Sequence, residues 1–155
     1  MPWARPRWPK SVPDRHTSPR ADQRCLWRTR LDARLGSVEV RVDRESVAAG
    51  DDVVSHAAVV RVRRGARLRA VIEQVSPDVR APGWSWVVLV DGVTAAIWSV
   101  DHGVQLLVDD RRMTQKSVTI LFRYFLQIDP AWLFSRLAQG APPNREALRT
   151  EFQAR

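Results

Sequence analysis

The sequence predicts an α+β domain: a mostly antiparallel sheet crossed by one early helix and followed by a C-terminal helix. Three observations carry this reading. Val38, Val40 and Val42 alternate with Glu39, Arg41 and Asp43, the period of a strand with one buried face. Asp91-Gly92 separates two apolar runs, and this dipeptide suits a type I′ hairpin turn, where both central residues need positive φ. Between those stretches, Leu68, Val71, Ile72 and Val75 recur at i, i+3, i+4 and i+7, the core stripe of a short helix.

The elements follow in order. Residues 37–43 form the first strand, and the small polar stretch 44–52 turns the chain. A second strand at about 56–63 puts Ala58, Val60 and Val62 on one face and Arg61 and Arg63 on the other, pairing with the first as a hairpin. Gly65 ends it. The helix runs to Ser76-Pro77, because proline disfavours helical geometry in the residue before it. Residues 84–90 and 93–100 are the two arms of the Asp91-Gly92 hairpin. Asp101-His102-Gly103 makes a further tight turn into Val104–Val108. Val87 to Val90 are apolar without alternation, as expected of a central strand covered on both faces. Residues 117–128 fit a strand by alternation and a helix by Leu121, Phe125 and Ile128; their β-branched and aromatic content favours strand. Asp129 is placed to cap a helix with Pro130 at its first position and Gly140 past its end. After Pro142-Pro143, Asn144 can cap a short helix over 144–153, with Leu148 and Phe152 on one side.

A hairpin, a helix across the sheet and a return to strands is the β-grasp order, as in ubiquitin-like domains; the analogy is one of element order. The block Val47-Ala48-Ala49-Gly50-Asp51-Asp52-Val53, with His56 three residues on, resembles an early block of uncharacterised small bacterial α+β proteins. There, too, a hairpin and helix precede a tryptophan-bearing strand. The resemblance spans residues 38–100 and implies architecture and no chemistry.

Composition bounds the function. The 155 residues carry 25 basic and 17 acidic groups, a formal charge of +8. Eight basic residues against Asp14 and Asp22 put +6 of this within residues 1–30, so the remaining 125 residues are nearly balanced at +2. The same segment holds five of the ten prolines and three of the seven tryptophans, with almost no aliphatic side chains. So few apolar groups cannot offset the entropy of ordering, and residues 1–30 read as a disordered basic tail, or as the product of a start codon placed too far upstream. Residues 37–140 read as one α+β domain, and 141–155 as a tail or short helix. No stretch approaches the ~18–20 apolar residues of a membrane span. The single Cys25 excludes an intrachain disulfide and any cysteine-built zinc site, and suggests a reducing, cytoplasmic setting.

Candidate sites are few. Asp51, Asp52 and His56, with Asp101 and His102 in another turn, supply donors for a divalent metal or for acid–base work if the loops meet; each residue also has a simple role in a turn. Trp84 and Trp86 share one side of a strand, where they pack a core or face a partner. In a regular ladder from Asp91-Gly92, Trp86 opposes Ile97, and Trp98 opposes Ser85 on the other face. Arg61, Arg63, Arg64, Arg67 and Arg69 make a basic run that is either a solvated face or a surface for an acidic partner. No glycine-rich phosphate loop, nucleophile elbow or cofactor signature occurs, so no cofactor is expected. The expected function is therefore a protein-interaction module using Trp84, Trp86 and the arginines Arg61, Arg63, Arg64 and Arg67. The alternatives are nucleic-acid binding through the tail and arginine run, and a metal-dependent enzyme built on the Asp/His turns.

Overall fold

A computed structural model describes residues 36–48, 55–78 and 81–155. The basic tail over residues 1–30, Cys25, and the Asp51-Asp52 turn lie outside the described residues. Six strands and three helices follow one another: β1 (Ser37–Arg44), β2 (Ala58–Arg63), α1 (Leu68–Gln74), β3 (Trp86–Val90), β4 (Val93–Ser99), β5 (Gly103–Leu106), β6 (Ser117–Tyr124), α2 (Pro130–Ala138) and α3 (Arg145–Gln153). The fold is α+β.

The strands form one sheet in the order β2-β1-β6-β3-β4-β5. The β1–β2 and β3–β4 hairpins are antiparallel, as their turns predict. The last strand corrects the expectation of a mostly antiparallel sheet. β6 inserts between β1 and β3, antiparallel to β3 but parallel to β1, with Val40 beside Val118, so the sheet is mixed. Hairpin pairings leave a mark in the local sequence. The β1–β6 pairing joins opposite ends of the domain and leaves none.

Alternation sorts the core onto the two faces. On one, Val38, Val40, Val62, Trp86, Val88, Ile120 and Phe122 pack beneath α1, which buries Leu68, Val71 and Ile72. On the other, Val87 and Ile97 meet Leu133 and Leu137 of α2 and Leu148 of α3. Each long helix is capped as its sequence requires. Asp129 Oδ1 accepts from the Trp132 N–H at 2.7 Å, and Asn144 Oδ1 from the Ala147 N–H at 3.0 Å.

The β3–β4 hairpin departs from the regular ladder. Val90 pairs with Val93 and Leu89 with Thr94, but Val88 then pairs with Ala96, leaving Ala95 as an extra residue. This bulge shifts every later position by one, and in a strand a one-residue shift reverses the face. Trp86 therefore opposes Trp98, not Ile97, and both rings lie on the α1 side of the sheet. The Ala95 carbonyl accepts from Leu107 N at 2.8 Å. Asp91 and Gly92 have φ of 50° and 82°, as a type I′ turn requires.

Candidate functional site

The two helices on the far face stop short of one edge of the sheet. Their apolar cluster includes residues of β3 and β4 but none of β1 or β2. The far face of the β1–β2 hairpin is therefore open, and β2 is also the edge strand. Alternation places Glu39 and Arg41 of β1 on that face, with Val59, Arg61 and Arg63 of β2. Their register sets Arg41 opposite Val59, Glu39 opposite Arg61, and Ser37 opposite Arg63. Val59 is 64% exposed, the most exposed large apolar side chain among the described residues. Arg41 Nε lies 3.1 Å from Glu39 Oε1, so the one acidic group at the centre of this surface is already matched by a neighbour on its own strand. Arg61 and Arg63 add positive charge along the edge.

The structure divides the basic run. Arg61 and Arg63 stand on the open face. Arg64 is exposed in the turn that follows, where its N–H donates to Gly36 O. Arg67 turns the other way: its Nη1 donates to Asp110 O at 2.8 Å and lies 3.9 Å from Asp110 Oδ2. Arg69 follows it, with its N–H on Asp110 Oδ1 and its guanidinium on the Val104 carbonyl. These two arginines tie α1 to the region around β5.

The tryptophans are core residues to different degrees. Trp86 is fully buried, and its Nε1–H has no hydrogen-bond partner. Trp84 is half-buried just before β3, with its ring 4.9 Å from Tyr124; Trp86 lies 5.2 Å from the same ring. Such tilted pairs contribute about 0.5–1.5 kcal/mol beyond area burial. Burial also pushes the Tyr124 hydroxyl above its ordinary pKa of 10.0.

The Asp/His turns lie at the same end of the sheet but toward opposite edges. His56 precedes β2, whereas Asp101 and His102 join β4 to β5. Four strand spacings separate the two hairpins, about 19 Å at ~4.8 Å each. Asp101 Oδ2 accepts from Gly83 N at 2.7 Å, and the His102 N–H donates to Ser99 Oγ at 3.1 Å, so both serve their own turn. No group of three or more metal-ligating side chains occurs among the described residues.

A cleft of about 460 Å³ opens at the carboxyl end of β1. Val42, Val60, Val75 and Phe122 supply its apolar wall, and Arg44, His56 and Asp78 its polar groups. Sequence reading missed Arg44. The signal was the row Val38, Val40, Val42, Arg44, in which alternation aims a charge along the core-facing side. Val59 was likewise missed, although it shares its side of β2 with Arg61 and Arg63.

Among the described residues no helix is long and apolar enough to cross a membrane. Comparison of the chain with models of protein families, with curated proteins and with solved structures finds no match.

Proposed function

We propose that the chain is a protein-interaction module that takes an extended acidic segment along β2. The observation that carries this is the open edge: β2 ends the sheet, and beside it stand the exposed Val59 and a row of arginines that no helix covers. An added strand satisfies the outer backbone groups of β2, and its alternate side chains meet that row. Acidic residues on the incoming strand complement Arg61 and Arg63, and an apolar one covers Val59. A second copy of this chain is a poorer occupant, because β2 against β2 would bring arginine to arginine, and like charges directly opposite are destabilising. Charge on an edge strand also guards against self-pairing. That role accounts for Arg61 and Arg63 but not for Val59.

The scaffold reading belongs to the same proposal. The order β2-β1-β6-β3, the parallel central pair and the helix between β2 and β3 support a β-grasp core, extended by β4, β5 and two C-terminal helices. A reducing, cytoplasmic setting is supported by the single cysteine.

Titration of the isotope-labelled chain with a ten-residue peptide alternating Glu and Val tests the proposal. Amide shifts concentrated in β2 and the facing part of β1, lost in R61E/R63E, are expected. Shifts confined to Trp84 and its neighbours, or no saturable shift, would reject it. Tighter binding of single-stranded DNA than of the peptide would favour the nucleic-acid alternative instead.

A further inference from the structure

The cleft at the carboxyl end of β1 is separate from the β2 edge and opens on the α1 side of the sheet. Its central group is Arg44. The side chain is 9% exposed, which is unusual for an arginine, and the Val38–Val40–Val42 row directs it inward. Around it lie Val42, Val60, Val75 and Phe122, and the volume of about 460 Å³ falls within the range of small-ligand sites. Arg44 Nη1 donates to Glu45 O at 3.4 Å, and Nε lies 3.5 Å from Asp78 Oδ1. The Asp78 side chain is 88% exposed, so water screens this pair. A guanidinium carries five N–H donors in a planar fork, which leaves room for a bidentate acceptor beside these contacts.

We propose that this cleft binds a small organic monocarboxylate, its apolar body against Val42, Val60, Val75 and Phe122 and its carboxylate on Arg44. The surroundings select the charge. Asp43 and Asp78 both line the mouth, so a dianion meets two negative groups for one guanidinium, whereas a monoanion is matched by Arg44 and gains from the apolar wall. Asp43 is also engaged locally, its Oδ1 accepting from the Arg44 N–H at 2.8 Å. His56 lies at the rim, where the chain enters β2.

The test uses the full chain and three probes: 3-phenylpropanoate, its neutral analogue 3-phenylpropanol, and inorganic phosphate. Saturable shifts at Val60, Val75 and His56 are expected with the carboxylate, with binding at least about tenfold weaker for the alcohol and for phosphate. R44Q should lose at least about tenfold in affinity for the carboxylate. D78N should tighten it by about 1.4- to 5-fold, the range of a screened surface pair. A merely structural Arg44–Asp78 contact predicts no such gain. Equal binding of acid and alcohol, phosphate binding as tightly as the acid, or no shift at these residues up to about 10 mM probe, well past the millimolar range, would overturn the proposal. Should R44Q fail to fold, the acid–alcohol comparison on the unaltered chain and D78N decide the matter.

Discussion

Trp86 faces Trp98 directly across the β3–β4 hairpin, although the type I′ turn at Asp91-Gly92 would set it opposite Ile97 in a regular ladder. The single extra residue, Ala95, makes the difference. Both rings consequently join the cluster beneath α1, and Ile97 is released to the α2 face.

Deleting Ala95 should therefore be far more damaging than its small side chain suggests. The deletion restores a regular ladder and drives Trp98 toward α2 and Ile97 toward α1. A loss of at least about 3 kcal/mol is expected, in the range of severe core disruption. Ala95→Gly keeps the bulge and should lose only about 1 kcal/mol. Denaturant unfolding of the two variants measures the contrast.

Tyr124 gives the fold a pH limit. Its hydroxyl is pushed up from 10.0 by burial, so the unfolded chain ionises first as pH rises. The unfolded state then holds fewer protons than the native one, and stability falls with increasing pH. The contribution is intact below pH 10 and is lost as pH climbs through the raised value. Thermal midpoints across the alkaline range should fall in the parent chain and fall less steeply in Tyr124→Phe.

Glu45 links three elements. Its Oε1 accepts from Arg123 Nε at 3.0 Å and its Oε2 from Arg145 Nη1 at 3.2 Å, while Arg145 Nη1 also donates to Tyr124 O at 2.9 Å. These bonds hold the first turn of α3 to β6 and the end of β1. All three side chains are about two-thirds buried. Glu45→Gln should therefore weaken the attachment of α3 by about 1 kcal/mol. Amide exchange should quicken in α3 while the rate in β3 stays unchanged.

Much of this architecture was legible where the chain advertises it locally. The valine alternation of β1, the Asp91-Gly92 turn, the Leu68–Val75 stripe and the Asp129 and Asn144 caps each arise from a few adjacent residues, and each element stands where its pattern puts it. The features that escaped are products of distant pairing. Nothing near Val40 or Val118 announces that their strands run parallel. Nothing in the run Thr94-Ala95-Ala96 marks the middle residue as extra, since both alanines suit either face. The same holds for the candidate surfaces. Arg61 and Arg63 were visible as charges, but their exposure depends on where α2 and α3 stop. Arg67 and Arg69 looked equivalent to them until the fold brought Asp110 alongside. Arg44 could have been found by carrying the valine row one step further.

Val59 separates a docking surface from a merely soluble edge. At 64% exposure it makes little contribution to packing, so Val59→Asp should change stability by less than about 0.5 kcal/mol. It should nevertheless weaken binding of an acidic strand at least about tenfold, by adding repulsion and removing apolar cover. Parallel denaturation and peptide titration of this variant check both halves.

The most direct measurement is a charge-swap cycle at the edge. The parent chain is titrated with the alternating Glu–Val peptide and with a Lys–Val peptide of equal length, and R61E/R63E with the same pair. The account predicts that the parent chain prefers the acidic peptide, that the reversed variant prefers the basic one, and that both bind with amide shifts along β2. Unchanged preference after reversal, or shifts away from β2 in both chains, would contradict it.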